Sequence, residues 1–229
     1  MHLDTLSEFM KFWDKEQAES ISSYDDLERG EYVVELRPCE LDLRVALIAG
    51  DFVCCLRSSL DHLAWQLAAL NANGIPSNKR ISFPIQGVNT LDSQIEFTKS
   101  TFGISEEAIA YIRSLQPYQS GERYRLHYLW VLNTLWNIDK HRHIPLHTAV
   151  TEYNLAPGSA MPIRDDKFHD HMKIFFRLAD KSNVKLDPLP KSEIIFGDQQ
   201  EGVATIHTFR EIYEFVTEKI IPNFSRFFE

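Results

Sequence analysis

The segment from residue 41 to residue 73 constrains the fold of this chain more than any other part of the sequence. At about 100° per residue, its large apolar side chains fall within one arc of a helix, and Asn73-Gly74-Ile75-Pro76 forms a typical helix stop. Those apolar side chains are Val45, Phe52, Leu56, Leu60, Leu63 and Leu67. A helix of this length with one apolar face needs other helices to cover it, so the segment predicts a mainly helical bundle.

The rest of the chain predicts further helices and a β-rich insertion. Residues 31–38 alternate like a strand, 81–85 are extended, and 146–206 lack a helical period. The candidate strands of the last region are 147–153, 172–179, 192–197 and 202–208. We therefore predict a single α+β domain over residues 1–229, with a small antiparallel sheet inserted at about 146–206, which 31–38 can join. The predicted helical core comprises residues 4–22, 41–73, 89–142 and 208–228.

Composition excludes several classes of protein. No stretch approaches the ~20 apolar residues that cross a bilayer, and the acidic N-terminus lacks the apolar centre of a secretory signal. The net charge of -9 gives no general attraction for polyanions, so a nucleic acid would need a local basic patch. Cys39, Cys54 and Cys55 form no disulfide framework, and we expect them to be small buried side chains of a cytoplasmic protein.

The sequence also predicts no metal and no cofactor. His169-Asp170-His171, with Asp165 and Asp166 upstream, is the candidate metal cluster, but its spacing matches no structural zinc pattern. The chain contains no glycine-rich phosphate loop and no zinc-protease motif.

Polar side chains form a stripe on each of the two strongest predicted helices. The stripe on 41–73 covers about 140° and contains Asp51, Arg57, Ser58, Asp61 and His62. The stripe on 123–142 contains Asn133, Asn137 and His141, with Lys140 beside them. If the helices are neighbours, these groups share a groove and can bind phosphate and transfer a proton. The alternative is an ordinary solvent-facing surface, on which an Arg57–Asp61 pair contributes about 0–1 kcal/mol.

The segment containing Arg57-Ser-Ser-Leu-Asp-His62 resembles the HEPN superfamily, helical-bundle proteins that include metal-independent ribonucleases with an Arg-x4-6-His signature. LRSSLDHLAW and LWNIDKHR, with FPI and LQPY between them, also resemble a family of uncharacterised bacterial proteins. The resemblance to HEPN proteins implies a homodimer in which a ribose 2′-hydroxyl attacks the adjacent phosphate. His62 would be the general acid or base, Arg57 would bind phosphate oxygens, and Asp61 would orient one of them. Lys140 and His141 would add a cation and a proton donor.

Two functions of different classes follow, together with a third possibility. The first is an RNA-cleaving enzyme, and the second is a non-catalytic module that binds a nucleotide, another phosphate-bearing ligand or a protein partner in the same groove. The third is a structural homodimer. HEPN proteins usually carry a strongly polar residue after the arginine, and Ser58 stands there instead. If Arg57, His62, Asn137 and Lys140 lie in one open cleft, the enzyme and ligand-binding hypotheses both stand. A buried Arg57 bridged to Asp61, with His62 packed away from Lys140, would favour the structural hypothesis.

Overall fold

The computed structural model describes residues 21–37, 42–77, 80–141, 144–167, 172–186, 191–197 and 204–228, together with Asp4, Thr5 and Glu8. The described chain forms two compact units. The β unit takes its residues from 3–46 and 145–196, and the helical unit takes its residues from 47–144 and 197–229. The fold class is α+β, as predicted, and most strands lie in or beside the predicted insertion.

The β unit contains a four-stranded antiparallel sheet. Its strands are β1 (Ile21–Asp26), β2 (Glu31–Leu36), β4 (Arg164–Lys167) and β5 (Met172–Arg177), in the spatial order β1-β2-β5-β4. A second sheet pairs β3 (Leu146–Glu152) with β6 (Lys191–Phe196). The pairing of β2 with β5 confirms that the early strand joins the later β region.

One face of the larger sheet forms the core of the β unit. The register places Leu36 opposite Met172 and Val34 opposite Ile174, so alternating residues of both strands point to the same side. These four side chains and Phe176 form a buried cluster, covered by partly buried groups that include Tyr153, Leu155 and Leu186. The period-2 pattern therefore identified β2 and β5 correctly.

The helical unit follows the predicted order of helices. Its elements are α1 (Leu43–Asn71, which begins in the β unit), α2 (Leu91–Ser100), α3 (Glu106–Ser114), a 3-10 helix (Pro117–Leu126), α4 (Tyr128–His141) and α5 (Ile206–Glu214). Ser105 caps the start of α3, because its hydroxyl accepts a hydrogen bond from the Ala108 amide. A π-helical segment (Phe215–Ile220), one α turn (Ile221–Asn223) and a 3-10 turn (Ser225–Phe227) follow α5.

The structure corrects several predicted boundaries. Residues 21 and 22 belong to β1 rather than to the first helix, most of which lies outside the described residues. The predicted strand 202–208 is wrong from residue 206, because Thr205 and Thr208 form a capping box that starts α5. Residues 123–126 are 3-10 rather than α-helical, in a segment broken by Gly121 at φ 58°.

The predicted burial of two cysteines is also wrong. Cys54 and Cys55 are both exposed and reduced on α1. Their positions on the wheel fall on the solvent side of the helix, whereas the opposite arc contains Val53, Leu56 and Leu60, which are buried. Cys39 lies outside the described residues. Among the described residues, no helix combines the length and apolar character needed to cross a bilayer.

Candidate functional site

Arg57 and Asp61 bind the backbone of a segment distant in sequence. Arg57 donates from Nη1 to Asp61 Oδ1 at 2.6 Å and from Nη2 to the Phe83 carbonyl at 2.8 Å. The Phe83 amide donates back to Asp61 Oδ1 at 2.9 Å. The i,i+4 spacing on α1 places the two side chains one above the other, and together they satisfy both backbone groups of Phe83, as a neighbouring β-strand would.

Burial makes this interaction strong and specific. Arg57 is 5% exposed and Phe83 is fully buried. Burial lowers the pKa of Arg57, and the charge and hydrogen bond of Asp61 act in the opposite direction. Arg57 Nε is buried without a hydrogen-bond partner among the described residues. Both Nη groups donate to internal acceptors and the side chain is only 6% exposed, so Arg57 offers little surface to a phosphate.

Gln116 holds the same segment further along. Its side-chain nitrogen donates to the Pro84 carbonyl at 2.9 Å and to the Ile112 carbonyl at 3.0 Å. Its side-chain oxygen accepts the Gln86 amide at 3.0 Å. Because Gln116 is fully buried, these bonds replace water for three backbone groups. We call the four residues Arg57, Asp61, Phe83 and Gln116 the backbone clamp.

The backbone clamp joins the FPI and LQPY segments to LRSSLDH by hydrogen bonds. Phe83 and Pro84 lie in FPI, and Gln116 lies in LQPY. All three segments therefore meet at one place in the helical unit. Sequence reasoning noticed the segments and missed Gln116 and the backbone of Phe83. The burial of Gln116 is a property of the fold, so the sequence carried no signal for its hydrogen bonds.

Trp136 of α4 lies beside two cations. The Arg57 guanidinium carbon is 4.9 Å from the centre of its ring, and Lys140 Nζ is 3.1 Å from it. The structure thus brings Arg57 and Lys140 to one side chain, as the hypothesis of converging stripes requires. Arg57 faces inward, whereas Lys140 is exposed.

Gly50 is the second point at which α1 meets α4. A Cβ atom at Gly50 would overlap Asp139 Oδ1 and would lie 2.9 Å from Asp139 Cγ. Gly50 therefore permits a close approach of the two helices. From Gly50 to Arg57 on α1, the contacts on α4 move back from Asp139 to Trp136, which is the antiparallel sense.

The other predicted residues of α1 are exposed rather than drawn into the backbone clamp. Asp51 and His62 are exposed, and Ser58 is half-buried. His62 lies about 140° around the helix from Arg57, since five residues separate them at 3.6 per turn. No described contact joins His62 to Lys140. The two members of the Arg-x4-His signature therefore face different environments.

The predicted polar residues of α4 lie along its outer side. Asn133 is half-buried, and Asn137, Lys140 and His141 are exposed. Among the described residues, none places a carboxylate within ion-pair distance of Lys140. These side chains and Trp136 form what we call the α4 polar face.

A titratable cluster at the start of α4 was not predicted. His127 Nδ1 accepts the Leu129 amide at 3.2 Å, and its ring packs edge-on against Phe215, the first residue of the π segment. Burial lowers the pKa of His127. Burial, followed by the charge and hydrogen bond of Glu211, raises the pKa of Tyr128. Glu211 also lies 3.4 Å from His207 Nε2.

The part of the chain that the structure describes contains no group of three or more His, Cys, Asp or Glu side chains placed to hold a metal. The candidate metal cluster at His169-Asp170-His171, which the sequence argued against, lies outside the described residues. Comparison with protein-family models, with curated proteins and with solved structures finds no match for this chain. A functional assignment therefore depends on the chemistry of its own side chains.

Proposed function

We propose that the helical unit is a HEPN-like, non-catalytic binding module that holds a nucleotide or another phosphate-bearing ligand on the α4 polar face. Lys140 supplies the charge, and Asn137 and His141 supply further hydrogen-bond donors within the last two turns of the helix. Asn133, Ser58 and Asp51 are secondary candidates for ligand contact. The proposal requires no metal and no cofactor.

The difference between the two cations at Trp136 supports this proposal. Arg57 is 5% exposed and donates to Phe83 and Asp61, so its charge is already used inside the protein. Lys140 is exposed, and its ammonium contacts the Trp136 ring rather than a described carboxylate. An anion can reach Lys140 without breaking an internal bond, whereas reaching Arg57 would first expose the Phe83 carbonyl.

Calorimetric titration of the protein with AMP, ATP and inorganic phosphate tests this proposal. Lys140→Ala should weaken binding of the responding ligand by at least tenfold, because a charge-assisted hydrogen bond contributes about 1.5–3 kcal/mol. Lys219→Ala, an exposed lysine on the π segment, is the matched control and should bind as the wild type does. Equal affinities of the Lys140 and Lys219 variants, or no binding by the wild type, would reject the α4 polar face.

The second candidate is the metal-independent ribonuclease. It is favoured by His62, which is exposed on α1 and thus accessible to a substrate hydroxyl. A nuclease built on this conformation would need a cation other than Arg57 to stabilise the phosphate. Incubation of a mixed RNA pool in excess EDTA distinguishes the candidates: 2′,3′-cyclic phosphate ends that disappear in His62→Ala would establish the enzyme.

The resemblance to HEPN proteins extends the proposal to assembly, and the sequence's lack of a disulfide framework and of a secretory signal extends it to location. We propose a cytoplasmic homodimer, with a protein partner as the alternative occupant of the same polar surface. Sedimentation equilibrium of the purified chain measures its assembly state directly. A monomer at every concentration would remove the homodimer from the proposal and leave the ligand site on α4 unchanged.

A further inference from the structure

A cavity in the β unit lies outside every residue assigned above. It is open to solvent, has a volume of about 450 Å³, and is lined by two short segments of chain. One wall is the segment 158–163, and the other is formed by Arg177, Asp180 and Asn183 at the end of β5 and along the 3-10 helix Leu178–Asn183. The volume is within the ~300–1,000 Å³ typical of sites for small ligands.

Hydrogen bonds fix the two walls to each other. The Ala160 amide donates to the Asn183 carbonyl at 3.0 Å, and the Ser159 hydroxyl donates to the same carbonyl at 3.1 Å. The Lys185 amide donates to the Ser159 hydroxyl at 2.9 Å, and the Ile163 amide donates to the Phe175 carbonyl at 2.7 Å. Because these bonds hold the two walls together, binding would order little additional chain.

Two opposite charges line the cavity without pairing. Arg177 is exposed and Asp180 is half-buried, and neither makes an ion pair with any described residue. Arg177 is the last residue of β5 and directly precedes the 3-10 helix, and Asp180 lies in the first turn of that helix. Other exposed arginines of the β unit have acidic partners: Arg29 pairs with Asp26, and Arg37 pairs with Glu35.

Apolar side chains supply part of the remaining surface. Met161 is 79% exposed and Ile163 is 51% exposed, and both line the same cavity. A ligand that buried them would remove large apolar groups from water. The cavity therefore offers a cation, an anion and an apolar wall within a few residues of each other.

We infer that this cavity binds a free α-amino acid with an apolar side chain, such as leucine or methionine. The ligand carboxylate binds Arg177, which has a fork of N–H donors suited to two oxygens. The ligand ammonium binds Asp180, and the ligand side chain packs against Met161 and Ile163. A zwitterion matches this lining because it presents both charges within one small molecule, leaving neither Arg177 nor Asp180 unpaired.

Calorimetry with L-leucine and L-methionine, using the full chain, tests the inference. N-acetyl-leucine lacks the ammonium, and leucine amide lacks the carboxylate. Asp180→Asn should lose at least tenfold in leucine affinity yet bind N-acetyl-leucine no worse than the wild type does. Arg177→Gln should behave in the same way toward leucine amide. Arg29→Gln, an exposed arginine outside the cavity, is the matched control and should bind leucine normally.

The pattern of losses decides the outcome. Each contact is established if removing the protein charge and removing its counterpart on the ligand together weaken binding no more than either change does alone. If the protein binds neither leucine nor methionine at ligand concentrations up to roughly 10 mM, the inference is overturned. The inference is also overturned if Arg29→Gln loses as much leucine affinity as the two cavity variants do. The same holds if both cavity variants lose affinity equally for both ligand analogues. None of these outcomes bears on Lys140, so the proposal for the α4 polar face is tested independently.

Discussion

Replacing Arg57 by methionine tests the backbone clamp, because methionine keeps much of the side-chain length and removes every donor. The Phe83 carbonyl, in a fully buried residue, then loses its bond to Nη2. An unsatisfied buried acceptor costs about 1–3 kcal/mol. Asp61 loses its partner as well, but its side chain is 30% exposed, so solvent screens the loss to about 1 kcal/mol. We expect Arg57→Met to destabilise the protein by about 2–4 kcal/mol.

Urea unfolding followed by circular dichroism measures this change. For a chain of this size, about 2–4 kcal/mol corresponds to a fall of roughly 4–16 °C in the melting temperature. His62→Ala, on the exposed side of the same helix, is the matched control and should change stability by less than about 0.5 kcal/mol. A change in Arg57→Met as small as that in His62→Ala would refute the reasoning, because it would mean that the internal hydrogen bonds of Arg57 contribute nothing.

Three further predictions concern other contacts in the helical unit. Gly50→Ala should destabilise the protein by about 1–3 kcal/mol in urea unfolding, because the added Cβ would overlap Asp139. In an Asp139→Ala background the same change should stabilise the protein by about 1 kcal/mol, because alanine favours a helix more than glycine does. A change of the same sign in both backgrounds would contradict the close contact. Gln116→Leu should cost about 2–4 kcal/mol, measured in the same way, since it removes three buried hydrogen bonds; a loss below about 0.5 kcal/mol would show that the second half of the backbone clamp is unimportant. Folding lowers the pKa of His127 below its ordinary value near 6.5, so as pH falls the unfolded chain takes up a proton before the folded chain does. The free energy of unfolding should therefore decrease as pH drops below about 6.5. The contribution of His127 to this slope is at most ~1.4 kcal/mol per pH unit. His127→Asn, which can still accept the Leu129 amide, should reduce that slope, and an unchanged slope from pH 7 to 5 would exclude His127 as its source.

The sequence predicted those elements whose residues carry a periodic apolar pattern. The period of α1 is visible because a single buried arc, including Leu56, Leu60 and Leu67, packs into the core. The strand β2 was visible because alternating residues such as Val34 and Leu36 enter the core of the β unit. In both cases local sequence and tertiary burial specify the same structure.

Polar strands were missed because backbone pairing alone stabilises them. β1 has the sequence ISSYDD, and β4 has the sequence RDDK, and neither shows apolar alternation. Each is an edge strand that pairs with a central strand of the same sheet. Their charged residues are typical of exposed sheet edges, so no hydrophobic signal was present to detect.

The backbone clamp was invisible for a different reason. The i,i+4 spacing of Arg57 and Asp61 suggested a surface ion pair or a phosphate site, and the pair is in fact formed. Its main partner, the backbone of Phe83, lies 26 residues from Arg57, and a backbone group carries no sequence signature. Helical position alone therefore predicted the Arg57–Asp61 pair correctly. It did not reveal that the pair binds a buried backbone segment.

The central claim is that Arg57 is held inside the protein while Lys140 contacts the ligand. NMR tests it most directly, by measuring exchange of the Arg57 side-chain protons with water during titration with the nucleotide that responds in calorimetry. The account predicts slow exchange for the protons on Nη1 and Nη2, which are buried and hydrogen-bonded, and rapid exchange for Arg123, which is exposed. It also predicts that the ligand shifts the resonances of Lys140 and leaves those of Arg57 unchanged. Arg57 protons that exchange as rapidly as those of Arg123, and move when ligand is added, would contradict it.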